Sequence, residues 1–77
     1  MRQTTIEEIA YAVKRAKDLA HETGRIQYIY FDDLRLRVTD EYERAQGLAA
    51  KCYPGGRVEL RGAVGEQVRQ WQEAMER

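Results

Sequence analysis

The stretch Arg25-Ile-Gln-Tyr-Ile-Tyr-Phe-Asp-Asp-Leu-Arg-Leu-Arg-Val-Thr39 decides the fold of this chain. Two runs of β-branched, aromatic and aliphatic residues flank the pair Asp32-Asp33, a pattern typical of a β-hairpin. A two-residue turn at this pair would fix the register and therefore the two faces. The pairs expected on the core face are Phe31–Leu34, Ile29–Leu36 and Gln27–Val38. The pairs expected on the opposite face are Tyr30–Arg35, Tyr28–Arg37 and Ile26–Thr39.

One face of the predicted hairpin is apolar and the other combines tyrosine with arginine. A three-residue turn is the alternative, and it would place Phe31 opposite Arg35 and Ile29 opposite Arg37. Because that register buries arginine beside apolar residues, the two-residue turn is preferred.

Helical periodicity surrounds the hairpin. Residues 5–23 are predicted to form a helix, because the pair Thr5 and Glu8 is typical of a capping box and Gly24 is a natural stop. Its apolar stripe is Ile6, Ile9, Ala10, Val13, Ala16, Leu19 and Ala20.

A second helix is predicted from Asp40, its expected cap, to Cys52, ahead of Pro54-Gly55-Gly56. Residues 57–61 alternate with a period of two and predict a strand. A last helix then follows, with the stripe Val64, Val68, Trp71 and Met75.

These elements predict one small α+β domain over residues 1–77, since a chain of this length has room for a single core. The expected order is α-β-β-α-β-α. The expected sheet is three-stranded and mainly antiparallel, in the order 2-1-3, with the helices packed on one face and the Tyr/Arg face open or covered by a partner.

Composition limits the class of function. Thirteen basic and thirteen acidic residues cancel, so no overall field draws the chain to nucleic acid or a membrane. No apolar run is long enough to span a membrane and no signal peptide is visible, so we expect a cytoplasmic protein. Cys52 is the only cysteine, and we expect it to be a buried, reduced thiol.

Enzyme chemistry has little basis in this sequence. A catalytic triad needs a nucleophile, a base and an orienting group, but the chain has no serine and only one histidine, His21. His, Cys and carboxylate residues do not cluster at the spacing of metal ligands. We therefore expect no catalytic residue, no metal and no cofactor.

The Tyr/Arg face of the hairpin is the predicted binding surface. Tyrosine and arginine are enriched at protein interfaces, which favours a protein partner. The predicted partner-binding residues are Tyr28, Tyr30, Asp32, Asp33, Arg35 and Arg37. A purely structural role in cross-strand pairing is the second interpretation. Stacking of nucleic-acid bases on a sheet of aromatic and basic residues ranks below both. A homodimer through this face or through the Trp71 stripe is a further alternative.

The run Arg25-Ile26 followed by Tyr30-Phe31-Asp32-Asp33, in a short chain that opens with a capped helix, resembles the small phage-encoded anti-CRISPR proteins. A member of that group carries a similar Arg-Ile-Tyr-Phe-Asp-Asp run, which Gln27-Tyr28-Ile29 interrupts here. The group shares no common fold or motif, so no residue role is transferred. The resemblance implies a class of function, namely a non-catalytic inhibitor that binds a CRISPR effector complex in the host cytoplasm.

Overall fold

The computed structural model describes residues 3–32 and 35–76, which form two helices and one four-stranded sheet. The elements are α1 (Gln3–Thr23), β1 (Gln27–Asp32), β2 (Arg35–Thr39), β3 (Leu48–Cys52), β4 (Val58–Leu60) and α2 (Gly62–Met75). The strand order is β2-β1-β3-β4, and every neighbouring pair is antiparallel. The predicted small α+β domain is confirmed, with one strand more and one helix fewer than expected.

The hairpin has the predicted faces in a register shifted by two residues. The pairs are Tyr28–Thr39, Ile29–Val38, Tyr30–Arg37, Phe31–Leu36 and Asp32–Arg35. Because side chains alternate with a period of two, an even shift leaves every side chain on its predicted face. The predicted turn at Asp32-Asp33 is wrong, since Asp32 is still paired. Positions 33 and 34 lie outside the described residues.

The predicted helix over residues 40–52 is wrong. Residues 40–47 form a loop, and residues 48–52 form β3, which pairs with β1 and β4. Gly47 adopts a φ of +75°, a left-handed conformation that interrupts a helix, and its carbonyl accepts a 2.7 Å hydrogen bond from the Phe31 N–H. Strand β3 therefore satisfies the second edge of β1, and β4 lies beyond it, not beside β1 as predicted.

Helix α1 packs its small and branched residues against the sheet. Its buried residues are Ile6, Ile9, Ala12, Val13, Ala16 and Ala20. Leu19, predicted to be on the stripe, is 38% exposed. Thr5 lies inside the helix, so the predicted capping box is also wrong. The helix ends as predicted at Gly24, whose N–H donates to the Ala20 carbonyl at 2.9 Å.

Both helices cover one face of the sheet. Ile29 at the centre of β1 is fully buried against Val13 and Ala16 of α1 and the alanines of β3. A second cluster joins Ile6 and Ile9 near the start of α1 to Val68 of α2. The half-buried Trp71 packs against that cluster, so most of the predicted α2 stripe is confirmed, whereas Met75 is exposed.

Helix α2 approaches the sheet most tightly at the described glycine Gly65. A Cβ there would lie 2.9 Å from the Ala49 carbonyl oxygen and 2.9 Å from the Leu60 carbonyl carbon, both backbone atoms that cannot rotate away. We expect Gly65→Ala to lower the free energy of unfolding by at least about 1 kcal/mol, despite alanine's better helix propensity.

Urea titration followed by circular dichroism measures this change. Gly55→Ala is the control, because no atom lies within 4 Å of a Cβ at that position. It should leave the unfolding free energy within about 1 kcal/mol of the wild-type value. Equal stability of the two variants would contradict the close approach of α2.

Candidate binding surface

The six side chains predicted to bind a partner do not form one open face. Arg35 and Arg37 are exposed on β2, whereas Tyr28 is half-buried and Tyr30 is only 1% exposed. Asp33 and the side chain of Asp32 lie outside the described residues. The structure therefore leaves the β2 arginines accessible and removes Tyr30 from the accessible surface.

Tyr30 is covered by residues 40–47, which we call the covering loop. The Tyr42 ring stacks on the Tyr30 ring, with centroids 5.6 Å apart and planes inclined by 20°. The Arg44 guanidinium lies 5.0 Å from the Tyr30 ring centroid, a cation–π distance. The prediction of an open tyrosine face is wrong at this position, because the chain supplies its own aromatic and cationic groups.

The Tyr30 hydroxyl fixes the covering loop through two hydrogen bonds. It accepts one from the Arg44 backbone N–H at 2.7 Å and donates one to the Tyr42 carbonyl at 3.2 Å. A buried hydroxyl with both a donor and an acceptor satisfied adds specificity to the hydrophobic contact. Tyr30 is therefore buried under the covering loop, on the face of the sheet opposite the helices.

Charged groups surround Tyr30 and the covering loop. The Arg37 guanidinium donates to the Tyr42 hydroxyl at 2.9 Å, and Lys51 forms an ion pair with Glu43. The Lys51 ammonium also lies 5.9 Å from the Tyr28 ring centroid. The hydrogen bond to Glu43 raises the pKa of Lys51, while desolvation and then the Glu43 charge raise the pKa of Tyr28.

An apolar groove runs between α1 and the outer edge of β2. It has a volume of about 330 Å³, and its lining residues are Tyr11, Ala12, Arg15, Leu19, Leu36 and Val38. Sequence reasoning missed this groove. The signal was present, since Tyr11, Arg15 and Leu19 follow one another at intervals of four and lie on one row of a helix.

The opposite edge of the sheet carries a polar cluster. Glu59 of β4 accepts hydrogen bonds from Arg57 and Arg61. The hydrogen bond from Arg61, followed by the charge of Arg57, lowers the pKa of Glu59. The Arg57 guanidinium lies 4.4 Å from the Tyr53 ring centroid. This edge thus pairs its arginines with groups of the same chain.

The thiol of Cys52 is enclosed by the protein. Cys52 is fully buried, as predicted, and its thiol lies 3.8 Å from the Val13 carbonyl. Burial raises its pKa to about 11, which keeps the thiol protonated at neutral pH. His21 lies exposed at the end of α1. Within residues 3–32 and 35–76, no three His, Cys, Asp or Glu side chains are grouped so that they could hold a metal ion.

In the part of the chain that the structure describes, neither helix combines the length and apolar character needed to cross a membrane. Comparisons with protein-family models, curated proteins and solved structures find no match to this chain. The candidate surface is therefore assigned from its geometry alone.

Removing the Tyr30 hydroxyl tests the attachment of the covering loop. Tyr30→Phe keeps the ring but leaves the Arg44 N–H and the Tyr42 carbonyl without their partner. We expect the free energy of unfolding to fall by about 0.5–1.5 kcal/mol, the usual net contribution of a hydrogen bond, because Tyr42 and Arg44 lie at the surface, where water can replace the hydroxyl. Amide hydrogen exchange at Arg44 should accelerate. Tyr11→Phe is the matched control, because Tyr11 is 64% exposed, and unchanged exchange in Tyr30→Phe would contradict the attachment.

The raised pKa of Cys52 makes stability depend on pH in the alkaline range. The folded protein holds the thiol proton more tightly than the unfolded chain, so the stabilisation is fully present below pH 9 and is lost as pH rises toward about 11. We expect the unfolding free energy of the wild type to fall over this interval more steeply than that of Cys52→Ala. Parallel pH profiles in urea titrations would contradict the assignment.

Proposed function

We propose that this chain is a non-enzymatic protein-binding domain that inhibits its partner through the β2 edge of the hairpin. One observation carries the proposal, namely that β2 is an edge strand on which Arg35, Leu36 and Arg37 are exposed beside an apolar groove. Arginine, with tryptophan and tyrosine, is enriched among the few residues that supply most of the binding energy at protein interfaces.

The placement of the tyrosines supports a protein partner over the nucleic-acid alternative. A stacking platform for bases needs accessible aromatic rings. The Tyr30 ring is instead covered by Tyr42 and Arg44, and the Tyr28 ring lies beside Lys51. The arginines of β2 and the groove remain as the accessible chemistry of the hairpin, and they suit a folded protein or one of its segments.

The resemblance of residues 25–33 to anti-CRISPR proteins supports the class of partner. On this basis the chain is a phage-encoded inhibitor that occupies a surface of a CRISPR effector complex in the host cytoplasm. Inhibition by occupancy needs no catalytic group.

Capture of a partner from host lysate tests the surface. We expect Arg35→Ala to weaken binding to the captured protein by about 2 kcal/mol, roughly thirty-fold, because it removes an interfacial arginine. Arg69→Ala is the control, since Arg69 is exposed on α2 and is paired with Glu66. Calorimetry measures both affinities. Equal affinities for the wild type and Arg35→Ala would reject the β2 edge as the binding surface.

A plasmid-interference assay tests the partner class. Cells with an active CRISPR system reject a targeted plasmid, and expression of this chain should restore transformation by at least ten-fold in one of the systems tested. Arg35→Glu should abolish the restoration, whereas Arg69→Glu should preserve it. Rejection of the plasmid in every system of a panel that spans the known effector types would overturn the CRISPR assignment.

A further inference from the structure

The outer edge of β2 is available for backbone pairing. Among the described residues, the backbone of β2 pairs with β1 alone, and the five-residue strand contains neither proline nor a bulge. An edge of this kind presents unpaired N–H and C=O groups at the spacing that another strand requires. Natural sheets protect such an edge by covering it, by distorting it or by placing charged side chains on it. Here the described structure leaves the edge uncovered, and its charged side chains are Arg35 and Arg37.

The groove extends this edge on the helix side. A strand added to the sheet would run along the outer edge of β2. On the helix side, every second side chain of that strand would lie next to Leu36 or Val38 and enter the groove lined by Tyr11 and Leu19. Leu36 and Leu19 are each 38% exposed, so the groove leaves apolar surface in contact with water. Side chains that enter it should therefore be apolar.

The other face of β2 sets the charge of the incoming strand. Arg35 and Arg37 are exposed there, and the Arg37 guanidinium also donates to the Tyr42 hydroxyl at 2.9 Å. Arg15 is the single charged residue among those lining the groove. Directly opposed unlike charges stabilise strand pairs, whereas like charges destabilise them. The side chains next to Arg35 and Arg37 should therefore be acidic.

The same rule argues against a second copy of this chain. Antiparallel pairing of two β2 strands would bring the arginines at positions 35 and 37 of one copy against those of the other. No acidic residue of β2 could compensate, because its sequence is Arg-Leu-Arg-Val-Thr.

We propose that β2 binds an extended segment of a partner protein as a fifth strand, and that the segment alternates between acidic and apolar side chains. The proposal rests on the binding surface assigned above and defines its partner chemistry. Main-chain hydrogen bonds would supply much of the affinity, and the alternation would supply specificity.

Fluorescence anisotropy with short synthetic peptides tests this mode. The probe is a seven-residue peptide of alternating glutamate and valine, and its controls have the same composition in two blocks or lysine in place of glutamate. We expect the alternating acidic peptide to bind at least ten-fold more tightly than either control. Arg35→Glu should remove most of the preference for the acidic peptide, because it leaves one acidic and one basic residue on that face, whereas Arg69→Glu should not change it.

Backbone methylation separates strand pairing from simple charge attraction. In a strand, the N–H groups of alternate residues point to opposite sides. Methylating either the glutamate or the valine nitrogens should therefore weaken binding at least ten-fold for one set and less than three-fold for the other. Equal effects of the two sets, no binding of the alternating peptide, or a concentration-dependent dimer in light scattering would overturn the proposal.

The outcomes also distinguish this inference from the proposed function. If Arg35→Ala weakens a captured partner but the alternating peptide does not compete with that partner, strand addition is wrong and the binding surface stands. If the peptide binds as expected while no CRISPR system is inhibited, strand addition stands and the proposed inhibition is wrong.

Discussion

The structure depends on β1 being enclosed on all four sides. Its two edges pair with β2 and β3, its helix-facing residue Ile29 is fully buried, and its opposite-facing residue Tyr30 is buried under the covering loop. A small domain rarely buries both faces of a sheet, because it lacks the chain length for two full layers. This chain covers one face with helices and covers Tyr30 on the other face with a loop of eight residues. The Tyr30 hydroxyl, Arg37, Lys51 and the Phe31 N–H all bind that loop.

Local patterns predicted the elements whose stability is itself local. The alternation in the hairpin assigned each side chain to its face, and helical periodicity found α1 and α2. The predicted register differs from the observed one by two residues because Asp32-Asp33 was taken as the turn. An even shift keeps every side chain on the same face, so the burial pattern could not show the error. Residues 48–52 were predicted as the end of a helix over residues 40–52, from the expected cap at Asp40 and the stop at Pro54-Gly55-Gly56. In the structure these residues instead form β3 and pair with the second edge of β1, a contact that is visible only in the assembled sheet.

The candidate surface, too, was predicted only where it follows from a local sequence pattern. Exposure of Arg35 and Arg37 follows from the hairpin pattern alone. The burial of Tyr30 does not, because Tyr42 and Arg44 reach it only through a loop whose conformation depends on Gly47 and on the backbone pairing of β3. The groove needed two elements at once: a helical row at positions 11, 15 and 19, and an edge strand placed alongside it.

The contact between Ile6, Ile9 and Val68 has a consequence for how the molecule forms during synthesis. Almost the whole chain separates these partners in sequence, so the loop they close is nearly as long as the domain, and its closure entropy has to be met before the contact is made. While the chain is being translated, α1 and the hairpin can leave the ribosome and associate with each other well before Val68 is available. Until then, Phe31 is the hairpin residue that packs against the apolar side chains near the start of α1, and the surface that α2 will cover stays exposed to water.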